Sequence, residues 1–169
     1  MNQAESTAVE FLAYNRWANL KLFDACCNLP PDVLASTAPG CYGSIYDTLA
    51  HIVRGERRYY WLLTGEELAP PFSWEAQPPL EEIRPYAERV SSALLEAAGQ
   101  LCDPEREVVE IGEHGEEWHY RPLALLIQTI NHGIEHRTNI TTILSQLGIE
   151  APAVDGWAYL DENMDRLGV

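Results

Sequence analysis

The stretch that decides the fold is RPLALLIQTINHGIEHRTNITTILSQLG, residues 121–148, whose apolar spacing predicts one long amphipathic helix. Its two histidines, His132 and His136, are four residues apart. At about 100° per residue they lie roughly 40° apart around the helix, so both imidazoles project from one face. The pair is expected to point toward a core, because four residues that lie on or beside this face are Leu125, Thr129, Ile140 and Ile143.

Two interpretations of this histidine pair stay open on spacing alone. Imidazoles in a core need partners for their ring nitrogens, and many such pairs are solvated or bonded to the backbone. That structural interpretation is favoured by the spacing by itself. A metal ion is the other partner, since histidines at i and i+4 of a helix are a known zinc arrangement.

Length and composition predict one domain spanning residues 1–169 and exclude several functional classes. The 46% hydrophobic and 22% charged content is ordinary for a soluble globular protein, which favours a packed core over disorder. Neither an apolar run of about 18 residues nor a signal-peptide pattern is visible, so we expect a cytoplasmic protein without a membrane span. The net charge of -15 repels phosphate backbones and anionic lipids, which excludes nucleic-acid and membrane-surface binding.

The cysteines form no recognisable zinc or redox motif. No CxxC spacing joins Cys26, Cys27, Cys41 and Cys102. Their apolar neighbours favour core thiols over nucleophiles. The sequence also shows no pattern typical of a Ser-His-Asp or Cys-His catalytic nucleophile.

Three more long helices are predicted around the first. The first runs from Glu5 to Leu29, with a predicted buried stripe of Phe11, Tyr14, Ala18, Leu22, Ala25 and Leu29. The second begins after a Ser44 cap and ends at Gly65, with the stripe Ile45, Leu49, Ile52, Tyr59 and Leu63. The third runs from Leu80 or Pro85 to Leu101.

The remaining segments complete an all-α prediction with one small hairpin. Residues 107–111 and 117–121 read as a β-hairpin whose His114 and His119 are exposed, and Asp155 caps a short last helix to Leu167. Four long amphipathic helices predict a four-helix bundle. Connections of about fifteen residues after the first two helices allow an up-down-down-up order without demanding it.

The second helix carries two further candidates for a functional site. His51 lies on the flank of the apolar stripe, with Gly55 one turn on leaving space beside it. Glu56 sits in the middle of that stripe, where a carboxylate needs a partner. Arg137 lies on an apolar side of the long helix, so we predict that Glu56 is its buried partner and not a metal ligand.

The sequence resembles the DinB/YfiT-like family of candidate four-helix metalloenzymes. The residues that carry the resemblance are YNRWAN at 14–19, TLAHIVRGERRYYW at 48–61, and NHGIEHRTNITTILSQLG at 131–148 followed by Pro152 and Asp155. The resemblance covers roughly residues 10–165. It implies an up-down-down-up bundle with a divalent metal held by His51, His132 and His136. The sequence departs from the family pattern at Thr138-Asn139, where many relatives carry Gly-Gln.

A three-histidine site implies a catalytic type of metal centre, because it leaves a coordination position open. Imidazoles suit zinc, nickel, iron or copper, and we place zinc first and nickel second. Similarity to thiol-dependent transferases and isomerases implies an S-transferase with a small-molecule thiol partner. A hydrolase that activates water at the same metal is the second possible enzyme. A non-catalytic metal- or ligand-binding stress-response protein is the alternative.

Asp47 and Gln128, each one turn before a histidine ligand, are candidate general bases. The role we favour for them is hydrogen bonding that supports the histidine rings or, for Asp47, a helix cap.

The long helix is apolar on a second face, which favours a homodimer. That face carries Leu123, Ile127, Ile130 and Ile134. A second copy of the chain would cover it, as the resemblance also implies. The alternative is coverage within one chain by a stripe of Trp157, Leu160, Met164 and Leu167.

Overall fold

A computed structural model describes residues 3–74 and 77–167, with side chains for 7–74 and 77–165. The chain order is α1 Gln3–Cys26, α2 Pro31–Leu34, α3 Ile45–Thr64, α4 Leu80–Gly99, β1 Val108–Ile111, β2 Glu117–Tyr120, α5 Pro122–Gln146, α6 Gly156–Glu162 and α7 Met164–Leu167. The predicted, mostly helical fold with one small hairpin is confirmed. Among the described helices, none is both long and apolar enough to cross a membrane.

The four long helices pack around a shared core. Each of α1 and α3 contacts both α4 and α5, so the four enclose a common interior. Fully buried side chains from all four meet there, among them Phe23, Ile45, Ile83 and Ile140. Burying an aliphatic or aromatic side chain of this size contributes about 1.5–3 kcal/mol, so this interior is the main stabilising feature.

The ends of α3 are fixed by local chemistry that was predicted from the sequence. The Ser44 hydroxyl accepts a hydrogen bond from the Asp47 backbone N–H at 3.0 Å, which satisfies one free donor of the first turn. Gly65 ends the helix at φ 77°, a conformation that favours glycine. These two residues set where His51 and Glu56 fall along α3.

The predicted buried stripe of α1 is confirmed at Ala18 and Leu22, which are fully buried, and is wrong at two other positions. Phe11 and Ala25, predicted as buried, are exposed. The described residues that are buried on α1 are Leu12, Asn15, Ala18, Asn19, Leu20, Leu22, Phe23 and Cys26. A hydrophobic pattern assigns asparagines to the surface. Here Asn15 and Asn19 face the core, because they hydrogen-bond the buried charged side chains of Glu56 and Arg137.

The predicted end of α1 at Leu29 was also wrong. The helix ends at Cys26, and Pro31 then opens the four-residue helix α2. Proline suits the first turn of a helix, where its missing N–H costs nothing. The double proline therefore separates α1 from α3 and also starts the short helix α2.

The cysteine prediction is confirmed in one position and wrong in another. Cys26 is fully buried, whereas Cys102 is exposed after α4. All four cysteines are free thiols. Cys102 lies past the helical seam, in the connection to the hairpin, where apolar neighbours in sequence do not enforce burial.

The hairpin and the C-terminal segment pack against the ends of the long helices. Strands β1 and β2 are antiparallel, with Val108 opposite Tyr120, as the prediction of a hairpin at 107–121 required. Val108 packs with Leu62 of α3 and Leu125 of α5, which seats the hairpin beside both helices.

The predicted last helix is interrupted. Asp155 caps α6 by accepting from the N–H groups of Trp157 and Ala158, as expected, but a break at Asn163 separates α6 from α7. The buried residue of α6 is Tyr159, while Trp157 is 78% exposed. The predicted covering stripe therefore does not face the bundle; the side chain of Leu167, its last member, lies outside the described residues.

Candidate metal centre

Three histidines from two helices converge on one point. His51 comes from α3, and His132 and His136 come from α5; one ligand-capable nitrogen of each lies within 4.8 Å of the others. The Nε2 atoms of His51 and His132 are 2.9 Å apart. Two nitrogens on one tetrahedral zinc ion are about 3.3 Å apart, so this spacing suits a shared ion.

Close approach of α3 and α5 depends on Gly55. A Cβ atom built at this position would lie 2.7 Å from Cε1 of His132 and 3.3 Å from both its ring nitrogens. The missing side chain lets the His132 ring sit against the α3 backbone. His132 and His136 themselves are buried on α5, with ring centroids 4.4 Å apart.

Two buried imidazole nitrogens have no hydrogen-bond partner among the described residues. They are Nδ1 of His132 and Nδ1 of His136. An unsatisfied buried polar atom costs about 1–3 kcal/mol, so a native structure retains one only for a reason. Three neutral imidazoles with unused nitrogens are a donor set that suits a divalent ion such as zinc or nickel, and the residues fit that group.

The electrostatics keep the three rings neutral. Burial, and then the proximity of His136 and His51, lowers the pKa of His132 to about 4. Burial is also the main cause that lowers the pKa of His51, with His136 and Arg54 adding to it. The pKa of His136 is lowered by burial against the opposing charge of Glu135. Neutral imidazole is the form that binds metal, so the site does not have to lose protons first at neutral pH.

Tyr42 is a site residue that the sequence did not reveal. Its hydroxyl lies 3.0 Å from Nδ1 of His51, and its ring stacks on the His51 ring at 4.2 Å. The same ring meets the edge of His136 at 5.0 Å. Tyr42 lies in a Pro/Gly-containing connection without periodicity, so no pattern in the sequence could place it here.

Comparisons with known proteins place nearly the whole chain in a family. The DinB family model matches residues 1–166. The chain belongs to the DinB family. Its curated relatives include Protein DinB of Bacillus subtilis (strain 168), which is 25% identical over 164 residues, covering 90% of this chain and 93% of that protein. The resemblance predicted from the three motifs is thereby confirmed.

In the described structure, neither candidate base of this DinB-family site is hydrogen-bonded to a histidine of the cluster. Asp47 accepts a 2.7 Å hydrogen bond from the Ser44 hydroxyl and belongs to the α3 cap, the role we favoured. Gln128 is exposed on α5. His114 and His119 are exposed on the hairpin, as predicted, and lie outside the three-histidine group.

Glu56 and Arg137, predicted as buried partners, are both buried, and they interact through two bridging asparagines. Its Oε1 accepts hydrogen bonds of 2.7 Å from the side-chain amides of both Asn15 and Asn19. Arg137 Nη1 donates to the carbonyl oxygens of the same two asparagines at 2.7 and 2.6 Å. The asparagines bridge the two charges because each has both a donor and an acceptor to offer. Glu56 does not belong to the three-histidine group.

Proposed function

We propose that this DinB-family protein binds one divalent metal ion through His51, His132 and His136, with zinc first and nickel second. The observation that carries the proposal is the convergence of the three imidazoles, whose ligand-capable nitrogens lie within 4.8 Å of one another. Three protein nitrogens leave room for an exchangeable ligand, which is the arrangement of catalytic centres.

We further propose that the exchangeable ligand is a low-molecular-weight thiol in an S-transferase type of reaction, with water as the second candidate. A divalent ion lowers the pKa of a thiol or water bound to it. Burial together with the neighbouring Cys27 raises the pKa of the Cys26 thiol to about 12, which makes it a poor nucleophile, and Cys41 Sγ contacts the Asn139 carbonyl oxygen. A nucleophile from solution is therefore favoured over a protein side chain.

The alternative is a non-catalytic stress-response protein that binds a metal or a small ligand. One observation favours it: Asp47 is engaged in the α3 cap and Gln128 is exposed, so neither candidate base is placed at the histidines. Turnover separates the two proposals, because only the enzyme converts substrate.

The experiment begins with metal analysis of protein purified without added metal. Zinc and nickel affinities are then measured by chelator competition for wild type, His132→Ala and His136→Ala. His119→Ala is the matched control, since His119 is an exposed histidine paired with Glu107 on the hairpin. We expect one metal per chain, lost in both site variants and kept in the control. Wild type without affinity for divalent metals would overturn the proposal.

A turnover screen follows with the metal-loaded protein. Several cellular thiols are each combined with a chlorinated aromatic electrophile, and thioether formation is measured against the His132→Ala variant. Metal binding without turnover of any thiol or hydrolytic substrate would favour the non-catalytic alternative.

We propose the up-down-down-up order for the four long helices. Supporting it, one cluster joins Leu12 in the first half of α1 and Leu126 near the start of α5 with Leu63 and Leu94, in the second halves of α3 and α4. Two first halves and two second halves at one end of the bundle support this order. Spin labels at Phe11 and Thr64 are expected to be closer together than labels at Phe11 and Thr37, and the reverse would contradict the order.

We also propose a homodimer formed by the second apolar face of α5. Leu123, Ile127 and Ile134 remain exposed on that face, and the α6 side chains do not cover it. The partner is a second copy of the chain, because a two-fold contact would bury the same residues on both sides at once.

A further inference from the structure

Tyr42 makes contacts with two of the three histidines and reaches solvent at the same time. Its ring stacks on His51 with an interplanar angle of 24° and meets His136 at 76°. The side chain is 55% exposed. It therefore forms an outer wall of the histidine cluster, while the buried ring of Tyr59 packs on His132 with ring centroids 5.8 Å apart.

The position of Tyr42 is fixed by the helix that carries two of the histidines. Its backbone N–H donates to Oδ1 of Asn139 at 2.6 Å, and the neighbouring Cys41 Sγ lies 3.6 Å from the Asn139 carbonyl oxygen. Asn139 is three residues after His136 on α5, and its own amide donates to the carbonyl of Glu135. The loop and the ligand helix are thus held together by one side chain.

The phenol also decides which nitrogen of His51 is available. Nε2 of His51 faces His132, and a ring nitrogen that binds a metal carries no proton. When Nε2 binds the metal, Nδ1 of the neutral ring carries the proton and donates a hydrogen bond to the Tyr42 oxygen, 3.0 Å away. In the described structure the corresponding Nδ1 atoms of His132 and His136 have no partner, so His51 is the ring held in this way.

We infer that Tyr42 is a positioning residue of the metal centre, which orients His51 through its Nδ1 and is itself held in place by Asn139. This inference rests on the proposed metal binding. A hydrogen bond to the second nitrogen of a ligand histidine fixes its tautomer and ring orientation. Because the Tyr42 oxygen accepts that bond, its own O–H is free to donate toward the solvent side.

The test compares three variants with a matched control. Tyr42→Phe removes the hydroxyl and keeps the ring, Tyr42→Leu removes both, and Asn139→Ala releases the loop. The control is Tyr46→Phe, since the Tyr46 hydroxyl donates to the Pro78 carbonyl oxygen and not to a histidine. Zinc and cobalt affinities are measured by chelator competition, together with the cobalt absorption spectrum and the ¹⁵N shifts of the His51 ring. Thermal unfolding of each metal-free variant checks the fold.

Loss of such a hydrogen bond costs roughly tenfold or more in metal affinity. We expect that loss in Tyr42→Phe with an altered cobalt spectrum and a changed ¹⁵N shift of His51 Nδ1, at an unchanged melting temperature. Tyr42→Leu is expected to lose at least as much, Asn139→Ala less, and Tyr46→Phe nothing.

Three results would overturn the inference. One is Tyr42→Phe binding metal with wild-type affinity and spectrum. Another is an equal loss in Tyr46→Phe, which would show that removing a tyrosine hydroxyl near the start of α3 weakens metal binding without any contact to a histidine. The third is wild type without metal affinity, which removes the proposed function as well; in the first two cases metal binding by the histidines stands.

Discussion

Glu56 and Arg137 share one buried network without touching each other. Asn15 and Asn19 lie between them, each donating to the carboxylate and accepting from the guanidinium. Each of the four residues is at most 3% exposed. The network joins α1 to α3 and α5, the two helices that carry the histidines. Its members Glu56 and Arg137 directly follow Gly55 and His136 in the sequence. Its integrity should therefore affect both stability and the site.

Replacing Glu56 should change how stability depends on pH. Burial raises the pKa of Glu56 to about 7, against the opposing hydrogen bonds from Asn15 and Asn19 and the charge of Arg137. Since the folded state holds this proton to a higher pH than the unfolded state, its contribution is fully present below about pH 4.5 and is lost as the pH rises through 7. In Glu56→Gln that pH dependence is absent.

The measurement is urea unfolding of metal-free protein between pH 5 and 8. Relative to Glu56→Gln, wild type should lose about 2–3 kcal/mol of unfolding free energy over this range. Glu66→Gln, which alters an exposed carboxylate after α3, serves as the control and should follow wild type. Parallel curves for wild type and Glu56→Gln would show that the carboxyl does not titrate here.

Removing one bridging amide should destabilise the fold. Asn15→Ala leaves Glu56 with one donor fewer and Arg137 with one acceptor fewer, which should cost about 1–3 kcal/mol. Chemical denaturation measures the loss. Asn28→Ala, in the exposed turn after α1, should stay within about 0.5 kcal/mol of wild type. Equal effects in the two variants would contradict a specific role of the network.

Adding one methyl group at Gly55 should weaken metal binding. The new Cβ would lie 2.7 Å from Cε1 of His132, so the ring has to move away from His51. We expect at least roughly a tenfold loss of zinc affinity in Gly55→Ala, comparable to other changes that misplace a ligand. Gly99→Ala is the matched helical control, because its Cβ would lie at an ordinary 3.7 Å from Val9. Unchanged affinity in Gly55→Ala would show that α3 and α5 adjust freely.

A charge on the second apolar face of α5 should separate the proposed dimer. Ile127 is 60% exposed, and Ile127→Glu would place a carboxylate at the centre of a two-fold contact. Light scattering should give twice 19.0 kDa for wild type and 19.0 kDa for the variant. Val109→Glu, which alters an exposed apolar residue on the hairpin, should keep the wild-type mass. A wild-type mass of 19.0 kDa at all concentrations would end the proposal.

The parts of the fold that follow local rules could be predicted from the sequence. The start and end of α3 follow from Ser44 and Gly65, and its stripe follows from helical periodicity. The shared face of His132 and His136 needed nothing beyond their spacing. His51, which is distant in sequence, was reached through the resemblance, since periodicity placed it only on a flank.

The remaining features depend on contacts between distant segments. The buried face of α1 was predicted only in part, because a hydrophobic pattern assigns Asn15 and Asn19 to the surface, whereas hydrogen bonds to charges on α3 and α5 bring them inside. Tyr42 was missed because a connection has no period to extend. Its place is set by Asn139, 97 residues away.

The adjacency of His136 and Arg137 fixes the rotation of α5 about its own axis. Neighbouring residues on a helix point about 100° apart, so one side chain reaches the histidines and the next reaches the asparagines of α1. A slip of α5 by one residue in one direction would carry the Arg137 guanidinium into the imidazole cluster, and a slip in the other direction would carry the His136 imidazole into the amide network. Any other register of α5 would therefore lose favourable contacts both in the histidine cluster and in the asparagine network. In this way buried polar groups can select one packing arrangement where apolar contacts alone would allow several.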